Sequence, residues 1–522
     1  MTEMIFNTPR RIICLILFAL SFFTFSSCSV PEWIESDIME SEKEDELLAG
    51  DPVDYSVSFT LARYTGERLD PFTSDNRINR DLLSLCYDPL IFTDSNVDPV
   101  CVIAESYTTT LTSVVFTINP DAKFYDGTPV TAADCVYSYS IAMGEDSVFR
   151  DRFDYISDFE EYSDGRFAVY FKSASVYNVN LCDIPIIKRG TNGDFVPTGS
   201  GKYKIVREYA FIYLEKNPYS FVDTGENFAI SKINVHDISS KEELLYNFNY
   251  NKIHGAYTDI TDEGDEFRGN IETIGFCENS FVYLVVNKQY TDRFTADPLF
   301  SKGVTYCLDR VSMCADILEG GTQPVWYPFN PDWSVTVEAG LNKDIYSTID
   351  AHECFTAVGL VLDGAVRTYE GEPVTLKIIV NSENLNKVRV ARAVADDLEE
   401  MGFNVELSSL TWDKYIKAFE ELDYDICVSE TVLPRNMDVY SLLYPEVNSG
   451  RGPVTPEFLE AIKFFNTGEI EMREFLSEFQ DFLPVIPLYF NRGALAVNRV
   501  VSGSFAPSET NMYYGIEEWV FS

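Results

Sequence analysis

The sequence predicts an α/β fold, and the stretch between Pro373 and Glu430 carries this prediction. Short apolar runs there alternate with two segments of helical periodicity, the first of which ends at Gly402. In order, the stretch reads as strand 374–380, helix 388–401, strand 403–407, helix 412–422 and strand 425–429. Alternating strands and helices are typical of a parallel sheet with crossover helices, so we expect at least one α/β lobe.

The N-terminal half reads as shorter elements bounded by turn signals. We expect strands at 55–62, 113–119 and 167–171, and a helix at 77–87. A further helix should continue through Ser140, with Thr131 as its N-cap and Asp134 at the third helical position. This half is therefore expected to contain both strands and helices.

Length and composition indicate a folded protein of several domains. Of the 522 residues, 46% are hydrophobic and 14% are aromatic, which excludes global disorder. The length suggests about three domains. The formal net charge of −43 would repel a phosphate backbone, so we expect no nucleic-acid partner.

The first 28 residues read as an export signal. A pair of arginines at 10–11 precedes an apolar run at 12–25 that is too short to span a bilayer. The small residues Ser26 and Ser27 stand before Cys28, which indicates a lipobox whose cysteine is lipidated and becomes the new N-terminus. An ordinary cleaved signal with a nearby cysteine is the alternative. With lipidation, the protein lies outside the cytoplasm, anchored to the cell membrane as a lipoprotein.

The segment 29–50 that follows the signal is acidic, with Lys43 as its single basic residue. Like charges repel one another and keep such a run extended. We therefore expect a tether between the lipid anchor and the folded body. The sequence after this tether contains no apolar stretch long enough for a membrane span.

The cysteines argue against a disulfide framework. Of the eleven, Cys14 leaves with the signal and Cys28 would carry lipid, so nine remain. This number is odd, and no Cys-x-x-Cys pair occurs. Most lie in apolar runs, as Cys135 and Cys427 do, where a free cysteine packs as a small hydrophobe. We expect unpaired thiols, which fits an organism that lives without oxygen.

Two stretches mimic ligand loops but lack residues that those loops require. The run Gly199-Ser200-Gly201-Lys202 resembles a phosphate loop, but Val196 replaces its first glycine and Tyr203 the hydroxyl that would hold Mg²⁺. The acidic run 94–98 begins like a calcium loop, but Pro99 stands where glycine must make the turn. Neither stretch therefore predicts a bound phosphate or metal.

Nothing in the sequence predicts a catalytic or metal centre. The chain contains no Gly-x-Ser-x-Gly nucleophile elbow. Its histidines lack ligand-like neighbours at helical or hairpin spacing; they are His236, His254 and His352. We expect no metal, no cofactor and no enzymatic activity.

A series of segments gives the chain a family resemblance. Residues 123–138 read Lys-Phe-Tyr-Asp-Gly-Thr-Pro-Val-Thr-Ala-Ala-Asp-Cys-Val-Tyr-Ser. Further landmarks occur, in order, at 69–72, 79–90, 100–107, 197–203, 283–287, 307–310, 412–415, 424–425 and 484–489. Together they resemble the extracytoplasmic solute-binding proteins of ABC importers, family 5 (oligopeptide/dipeptide/nickel-binding type), whose signature reads F-x-D-G-x-P-hydrophobic-T-A-x-D-V. Residues 197–203 are similar to the family's P-x-G-T-G-P-Y turn, with Lys202 in place of proline.

The resemblance implies a two-lobed periplasmic-binding-protein-like fold (type II, cluster C) with a subdomain inserted in the first lobe. Lobe I is then expected at 51–78, 197–275 and 484–522, the inserted subdomain at 79–196 and lobe II at 276–483. The chain would cross between the lobes near 276–280 and return near 482–487, which makes these segments the hinge. Ligand would be buried in the cleft as the lobes close.

The resemblance also implies a function. The chain would capture a peptide or a similar small organic solute and deliver it to a membrane permease with cytoplasmic ATPases, and it would act as a monomer. Two other classes stay open. One is a ligand sensor or surface-interaction protein that keeps the fold without a transporter, and the other is an exported hydrolase with catalytic residues in the cleft.

Candidate ligand contacts follow from position in the family's frame. They are Tyr64, Thr65, Gly66, Phe281, Tyr283, Glu430, Thr431, Arg435, Asn436, Asp438 and Tyr489. Peptide binders of the family are expected to carry an acid for the ligand's amine after the Tyr-Asp strand, but here that position is Pro434. Arg435 offers a fork for a carboxylate or phosphate, or simply offsets local negative charge. For the aromatic candidates, ordinary packing within a lobe is the alternative.

Overall fold

The computed structural model describes residues 58–209, 211–220, 228–259, 267–290, 292–341, 345–443 and 455–522. The expected signal at 1–28, Cys28 and the tether at 29–50 lie outside the described residues. None of the helices in the described part of the chain combines the length and the apolar character that crossing a bilayer requires.

Strands and helices both extend through the whole described part of the chain. The strands are β1 Thr60–Tyr64, β2 Ile91–Thr93, β3 Pro99–Cys101, β4 Ala104–Thr110, β5 Ser113–Ile118, β6 Ile156–Glu161, β7 Phe167–Phe171, β8 Tyr203–Glu208, β9 Phe211–Lys216, β10 Lys232–Ile238, β11 Gly255–Asp259, β12 Ile271–Val286, β13 Thr322–Pro324, β14 Leu360–Asp363, β15 Val366–Tyr369, β16 Glu372–Pro373, β17 Thr375–Asn381, β18 Asn404–Leu410, β19 Ile426–Val432, β20 Ile486–Asn498, β21 Val501–Ser502 and β22 Val520–Phe521. The α-helices are α1 Arg77–Ser84, α2 Ala132–Ala142, α3 Lys241–Asn249, α4 Pro298–Cys307, α5 Arg310–Ser312, α6 Ser334–Ala339, α7 Thr348–Ala357, α8 Leu385–Glu400, α9 Trp412–Glu420, α10 Tyr440–Leu443, α11 Pro456–Thr467 and α12 Met472–Phe482.

One large sheet runs through both lobes, in the strand order β18-β17-β19-β12-β20-β11-β1-β10-β9-β8. Its two central strands are long, and their antiparallel pairing is interrupted between Cys277 and Phe281. On one side of the interruption they join β11, β1 and β8–β10 of lobe I, and on the other side β17–β19 of lobe II. This interruption coincides with the crossing between the lobes expected near 276–280, and its role as the hinge stays a prediction.

The predicted parallel unit is confirmed in lobe II. Strand β17 pairs in parallel with β18 and with β19, and α8 and α9 form the crossovers. Helix α8 ends as expected near Gly402, whose φ of +91° favours glycine. A side chain here would also lie 2.9 Å from the carbonyl oxygen of Ala365. The elements differ from the predicted bounds by one to three residues at most ends, because strand pairing rather than local pattern sets where a strand stops.

A second, antiparallel sheet lies in the region predicted as the inserted subdomain, with the strand order β4-β5-β7-β6. Helix α2 begins after Thr131 as expected, and Asp134 accepts a hydrogen bond from the Thr131 backbone at 3.0 Å. Its buried Tyr139 meets Phe167 of β7 edge to face, with ring centroids 4.9 Å apart. Residues of this region and of lobe I, such as Phe116 and Trp519, belong to one continuous core. The boundaries at 79 and 196 stay a prediction.

The sheet of lobe II is buried on both faces. Alternate residues of β12 divide between two cores: Phe281 and Tyr283 pack with α11 and α12, and Val282 and Leu284 with α4, α7 and α8. Seven of the nine cysteines in the described residues are buried, and none of the nine is in a disulfide there. These thiols fill apolar positions in the cores, where small hydrophobic groups are required.

Candidate functional site

A cavity of about 750 Å³ lies among the described residues. It is lined by one side of α1, by the segment that follows α1, by residues 148–152, and by the C-terminal segment 509–517. Val432, Leu433 and Arg435, at the end of β19 in lobe II, close its other side. The volume lies in the range of small-ligand pockets, and both lobes contribute to its wall.

Helix α1 presents polar side chains to the cavity because its apolar side is buried. The side chain of Asn76 caps it by accepting from the Ile78 backbone at 3.0 Å. Ile78 and Leu82 pack into two cores, and the opposite side directs Arg77 and Arg80 to the cavity. Four residues after the helix, Asp88 joins the same wall.

The glycine turn at 199–202 places Lys202 in the cavity wall. Gly201 donates its backbone N–H to the carbonyl oxygen of Cys86 at 3.1 Å. A methyl group at Gly199 would lie 2.2 Å from that same oxygen, and one at Gly201 would lie 2.5 Å from the Cys86 carbonyl carbon. The apparent phosphate loop is thus a turn that packs against the end of α1, which explains why both positions are glycine.

The cavity is lined by charges of both signs. Among the described residues, the basic ones are Arg77, Arg80, Arg152, Lys202 and Arg435. The acidic ones are Asp81, Asp88, Glu105, Asp151, Asp183, Glu509 and Glu517. A wall of this kind suits a ligand that itself carries both charges.

Most of these charges are held in ion pairs. Arg77 Nε contacts Asp81 at 2.9 Å, and Arg152 Nε contacts Asp183 at 2.9 Å. Burial alone would raise the pKa of Asp183, but Arg152 and Arg435 hold it below its ordinary value. Asp81 differs from Asp183, because burial raises its pKa above the ordinary value although Arg77 opposes the shift.

Arg435 connects the two lobes through such pairs. Its Nη1 donates to Glu509 Oε2 at 2.6 Å, and its Nε lies 3.5 Å from Asp183 Oδ2. Glu509 also accepts a hydrogen bond from the backbone of Asn279, inside the predicted hinge, at 3.1 Å. Beside it, Glu278 has its pKa raised to about 7 by burial and by Glu509, against the effect of Arg77. The predicted hinge and the cavity therefore share one electrostatic network.

Asp88 differs from the other buried acids of the wall. It is 7% exposed, and its Oδ2 has no hydrogen-bond partner among the described residues. Burial, together with Glu517, raises the pKa of Asp88 to about 6, although Lys202 opposes the shift. Lys202 itself forms an ion pair with Glu517.

Of the sequence-predicted contacts, Arg435 lines this cavity, and the other ten are absent from its described wall. Phe281, Tyr283 and Tyr489 are buried in the two cores that flank the sheet, and Phe281 stacks on Phe490 at 4.9 Å between ring centroids. The contribution of these three rings to a ligand cleft stays a prediction. The alternation of β12 buries Phe281 and Tyr283 under helices, so lobe packing accounts for them.

The remaining candidates lie elsewhere in the fold. Tyr64 and Thr65 end β1, where their partners are Asn79 and Ile238, and Gly66 turns the chain with φ of +93°. On β19, Thr431 pairs with Phe281 across the sheet. Tyr64, Thr65, Gly66 and Thr431 are absent from the described wall of the cavity. Their role in ligand binding stays a prediction.

The polar candidates around β19 have protein partners. Glu430 accepts hydrogen bonds from Lys387 and Ser280, and these partners hold its pKa below the ordinary value against the opposing effect of burial. Asn436 donates to Asn178 at 2.9 Å. Asp438 accepts from the Tyr440 backbone at 3.0 Å. Asn436 joins the two lobes, while Asp438 shapes its own loop.

Several charged residues of the wall were not among the sequence candidates: Arg77, Arg80, Asp88, Lys202, Glu509 and Glu517. Asp88 and Lys202 lie inside segments that carry the family resemblance. A charged residue within an apolar or turn motif is the signal that could have identified them. The sequence around Glu509 and Glu517 contains no such signal, because only folding brings the C-terminal segment to α1. Within the described residues, no group of three or more His, Cys, Asp or Glu side chains is arranged to hold a metal ion.

Known proteins are similar to this chain in sequence and in fold. The model of the bacterial extracellular solute-binding proteins, family 5 (Middle), matches residues 98–452. The oligopeptide-binding protein AppA of Bacillus subtilis (strain 168) is 20% identical over 482 residues, which cover 85% of this chain and 88% of AppA. The structure of AppA from B. subtilis with a nonapeptide has a TM-score of 0.56 at 19% identity, over 89% of this chain and 99% of that chain.

Two further structures share the fold. An ABC transporter substrate-binding protein from Sinorhizobium meliloti has a TM-score of 0.70 at 16% identity, over 89% of this chain and 100% of that chain. NikA from Brucella suis, in complex with Fe(III)-EDTA, has a TM-score of 0.63 at 16% identity, over 89% and 99%. These matches confirm the expected two-lobed α/β fold. Because the family model spans more than half of the sequence, the chain belongs to family 5 of the bacterial extracellular solute-binding proteins.

Proposed function

We propose that this receptor captures a peptide or a peptide-like solute in the cavity between its lobes. The observation that carries the proposal is the wall of mixed charge, to which α1, the C-terminal segment and the end of β19 all contribute. A peptide with free ends presents an ammonium and a carboxylate, and a wall with both signs can pair with each. The relative AppA of B. subtilis is an oligopeptide-binding protein, which supports the same class of ligand.

Binding would act through the hinge. A ligand that contacts both α1 and the end of β19 stabilises the closed arrangement only through contacts that an open arrangement lacks. The closed receptor would then dock on a membrane permease with cytoplasmic ATPases, and the lipid on Cys28 would keep it near that permease. A single acyl chain binds a membrane weakly, so stable retention needs the two or three chains of a lipoprotein. The chain itself would make and break no bond.

The ligand class is tested by native mass spectrometry after incubation with a tryptic digest of casein. We expect discrete added masses of short peptides and a raised melting temperature, because a ligand that binds the folded state stabilises it. Ser84→Trp, which fills part of the cavity wall, should abolish capture. Its matched control is Ser140→Trp on the exposed part of α2, which should leave capture intact. No capture by the wild type, or equal capture by Ser84→Trp, contradicts the proposal.

The transport role is tested in cells. Uptake of a captured peptide, labelled with a heavy isotope, should fall when the gene for this chain is deleted and return when it is restored. Unchanged uptake with intact peptide binding would support the sensor alternative. Cleavage of the peptide by the purified protein would support the hydrolase alternative.

A further inference from the structure

The buried acids of the cavity differ in one respect, which is whether they have a partner. Asp81 is paired with Arg77, Asp183 with Arg152, Glu509 with Arg435 and Glu517 with Lys202. Asp88 has no such partner: among the described residues no hydrogen bond or ion pair reaches its Oδ2. Glu105, the other acid without a partner of this kind, is exposed to solvent.

An unpartnered buried carboxylate is costly. Removing a charged oxygen from water without compensation destabilises the folded state, and proteins normally avoid it outside functional sites. Lys202 is the basic group that opposes the raised pKa of Asp88, but its ammonium is held by Glu517 and lies 5.8 Å from the centroid of the Tyr514 ring. Lys202 therefore compensates Asp88 only in part, and the carboxylate is available to a cation of the ligand.

We propose that Asp88 is the subsite for an ammonium group of the ligand, with Glu517 beside it as a second source of negative potential. This inference rests on the proposed function and specifies which end of the ligand lies where. The segment after β19, where peptide binders of the family are expected to carry an acid, has Pro434 at that position. Glu430 and Asp438, on either side of Pro434, have protein partners, so the unpartnered acid is Asp88 of lobe I.

The same cavity also contains positive charge that could bind a carboxylate of the ligand. Arg77 and Arg80 line the same cavity on α1, and one guanidinium nitrogen of Arg77, Nη2, has no hydrogen-bond partner among the described residues. Burial and the neighbouring Arg77 lower the pKa of Arg80, which indicates that positive charge is concentrated there. A ligand with its ammonium at Asp88 can direct a carboxylate toward these guanidinium groups.

Asp88→Asn tests the subsite, because the amide keeps the shape of the carboxylate and removes its charge. The probes are a tryptic casein digest and the same digest after acetylation of its amino groups, with captured peptides identified by native mass spectrometry and their affinity measured by calorimetry. We expect at least a ten-fold loss of affinity for unmodified peptides in Asp88→Asn, and no capture of acetylated peptides by the wild type. The matched control is Asp126→Asn, whose carboxylate pairs with Lys188 outside the cavity, and its affinity should be unchanged.

The outcomes separate the subsite from the proposed function. Capture of acetylated and unmodified peptides with equal affinity, or wild-type affinity in Asp88→Asn, overturns the subsite and leaves the peptide receptor standing. Absence of capture from either digest by the wild type overturns both. Asp88→Asn should unfold at the same or a higher temperature than the wild type at pH 7, since it loses an uncompensated charge. The acetylation arm uses only the wild type, so equal capture of the two digests overturns the subsite even if the variant fails to fold.

Discussion

Arg435 donates from Nη1 to Oε2 of Glu509 at 2.6 Å, and this contact joins the end of β19 in lobe II to the C-terminal segment of lobe I. Both side chains are largely buried, at 16% and 19% exposure. Burial alone would raise the pKa of Glu509, but Arg435 and Arg77 hold it below its ordinary value. The arginine that the sequence offers for an anionic ligand group is thus engaged within the protein.

Replacing Arg435 should release this contact. Arg435→Met leaves Glu509 and Asp183 with one cation fewer in a buried site, and we expect the free energy of unfolding to fall by about 2–4 kcal/mol. The lobes should also separate more easily, which small-angle scattering would record as a larger radius of gyration. Urea denaturation measures the first effect.

A double-mutant cycle supplies the control for this prediction. Glu509→Gln alone should destabilise the protein, and adding it to Arg435→Met should cost less than the sum of the two single changes. Strict additivity of the two changes would show that the ion pair contributes nothing to the stability of the folded protein.

The turn at 199–202 should tolerate no side chain at its glycines. Gly201→Ala would place a methyl group 2.5 Å from the Leu85 carbonyl oxygen and 2.7 Å from the Cys86 Cα, and neither backbone atom can move freely. We expect a loss of at least about 2 kcal/mol in the free energy of unfolding, and a displaced Lys202. Gly193→Ala is the matched control, because its methyl group meets nothing within 4 Å. Equal stability of the two variants in urea would contradict the packing argument.

Local periodicity was enough to predict much of the fold. The strands and helices of 374–432 can be predicted because each repeats its apolar pattern within a few residues. The start of α2 can be predicted because Thr131 and Asp134 lie close together in the sequence. The two-lobed arrangement came from the order of the family motifs. Where a strand ends depends on its partner strand, so the bounds of β1 and β19 differ from those predicted.

The site was much harder to predict, because its geometry depends on distant pairs. Arg435 and Glu509 are 74 residues apart in sequence, and Lys202 and Glu517 are 315 apart. No local pattern marks either pairing. The surroundings of the aromatic candidates could not be predicted for a related reason: a β-strand shows which residues share a face, but not whether a helix or a cavity covers that face.

Cys28 should anchor the mature protein, a prediction that rests on the sequence alone. Cys28→Ser removes the sulfur that would carry the lipid, so the protein should move from the membrane fraction to the soluble fraction on centrifugation. Cys101→Ser, at an exposed cysteine of the folded body, is the control and should leave the distribution unchanged. Retention of Cys28→Ser on membranes would favour the ordinary cleaved signal with another means of attachment.

His254 should make the protein sensitive to acid. It is 1% exposed, its Nδ1 accepts a hydrogen bond from the Thr60 backbone at 3.0 Å, and burial lowers its pKa to about 4. In the unfolded chain its pKa returns to about 6.5, so between these values the unfolded state binds the extra proton. Stability is therefore fully present above pH 6.5 and decreases as the pH falls toward 4.

The size of this effect can be isolated by substitution. His254→Asn keeps an acceptor for Thr60 but does not titrate in this range, so its stability should depend less on pH. Between pH 7 and pH 4.5 the wild type should lose about 2–3 kcal/mol more than the variant in urea denaturation. His352→Asn, at a partly exposed histidine whose pKa is lowered by burial and by Arg367, should reduce the pH dependence less. A pH dependence of His254→Asn equal to that of the wild type would show that the buried imidazole at position 254 does not contribute to the acid sensitivity.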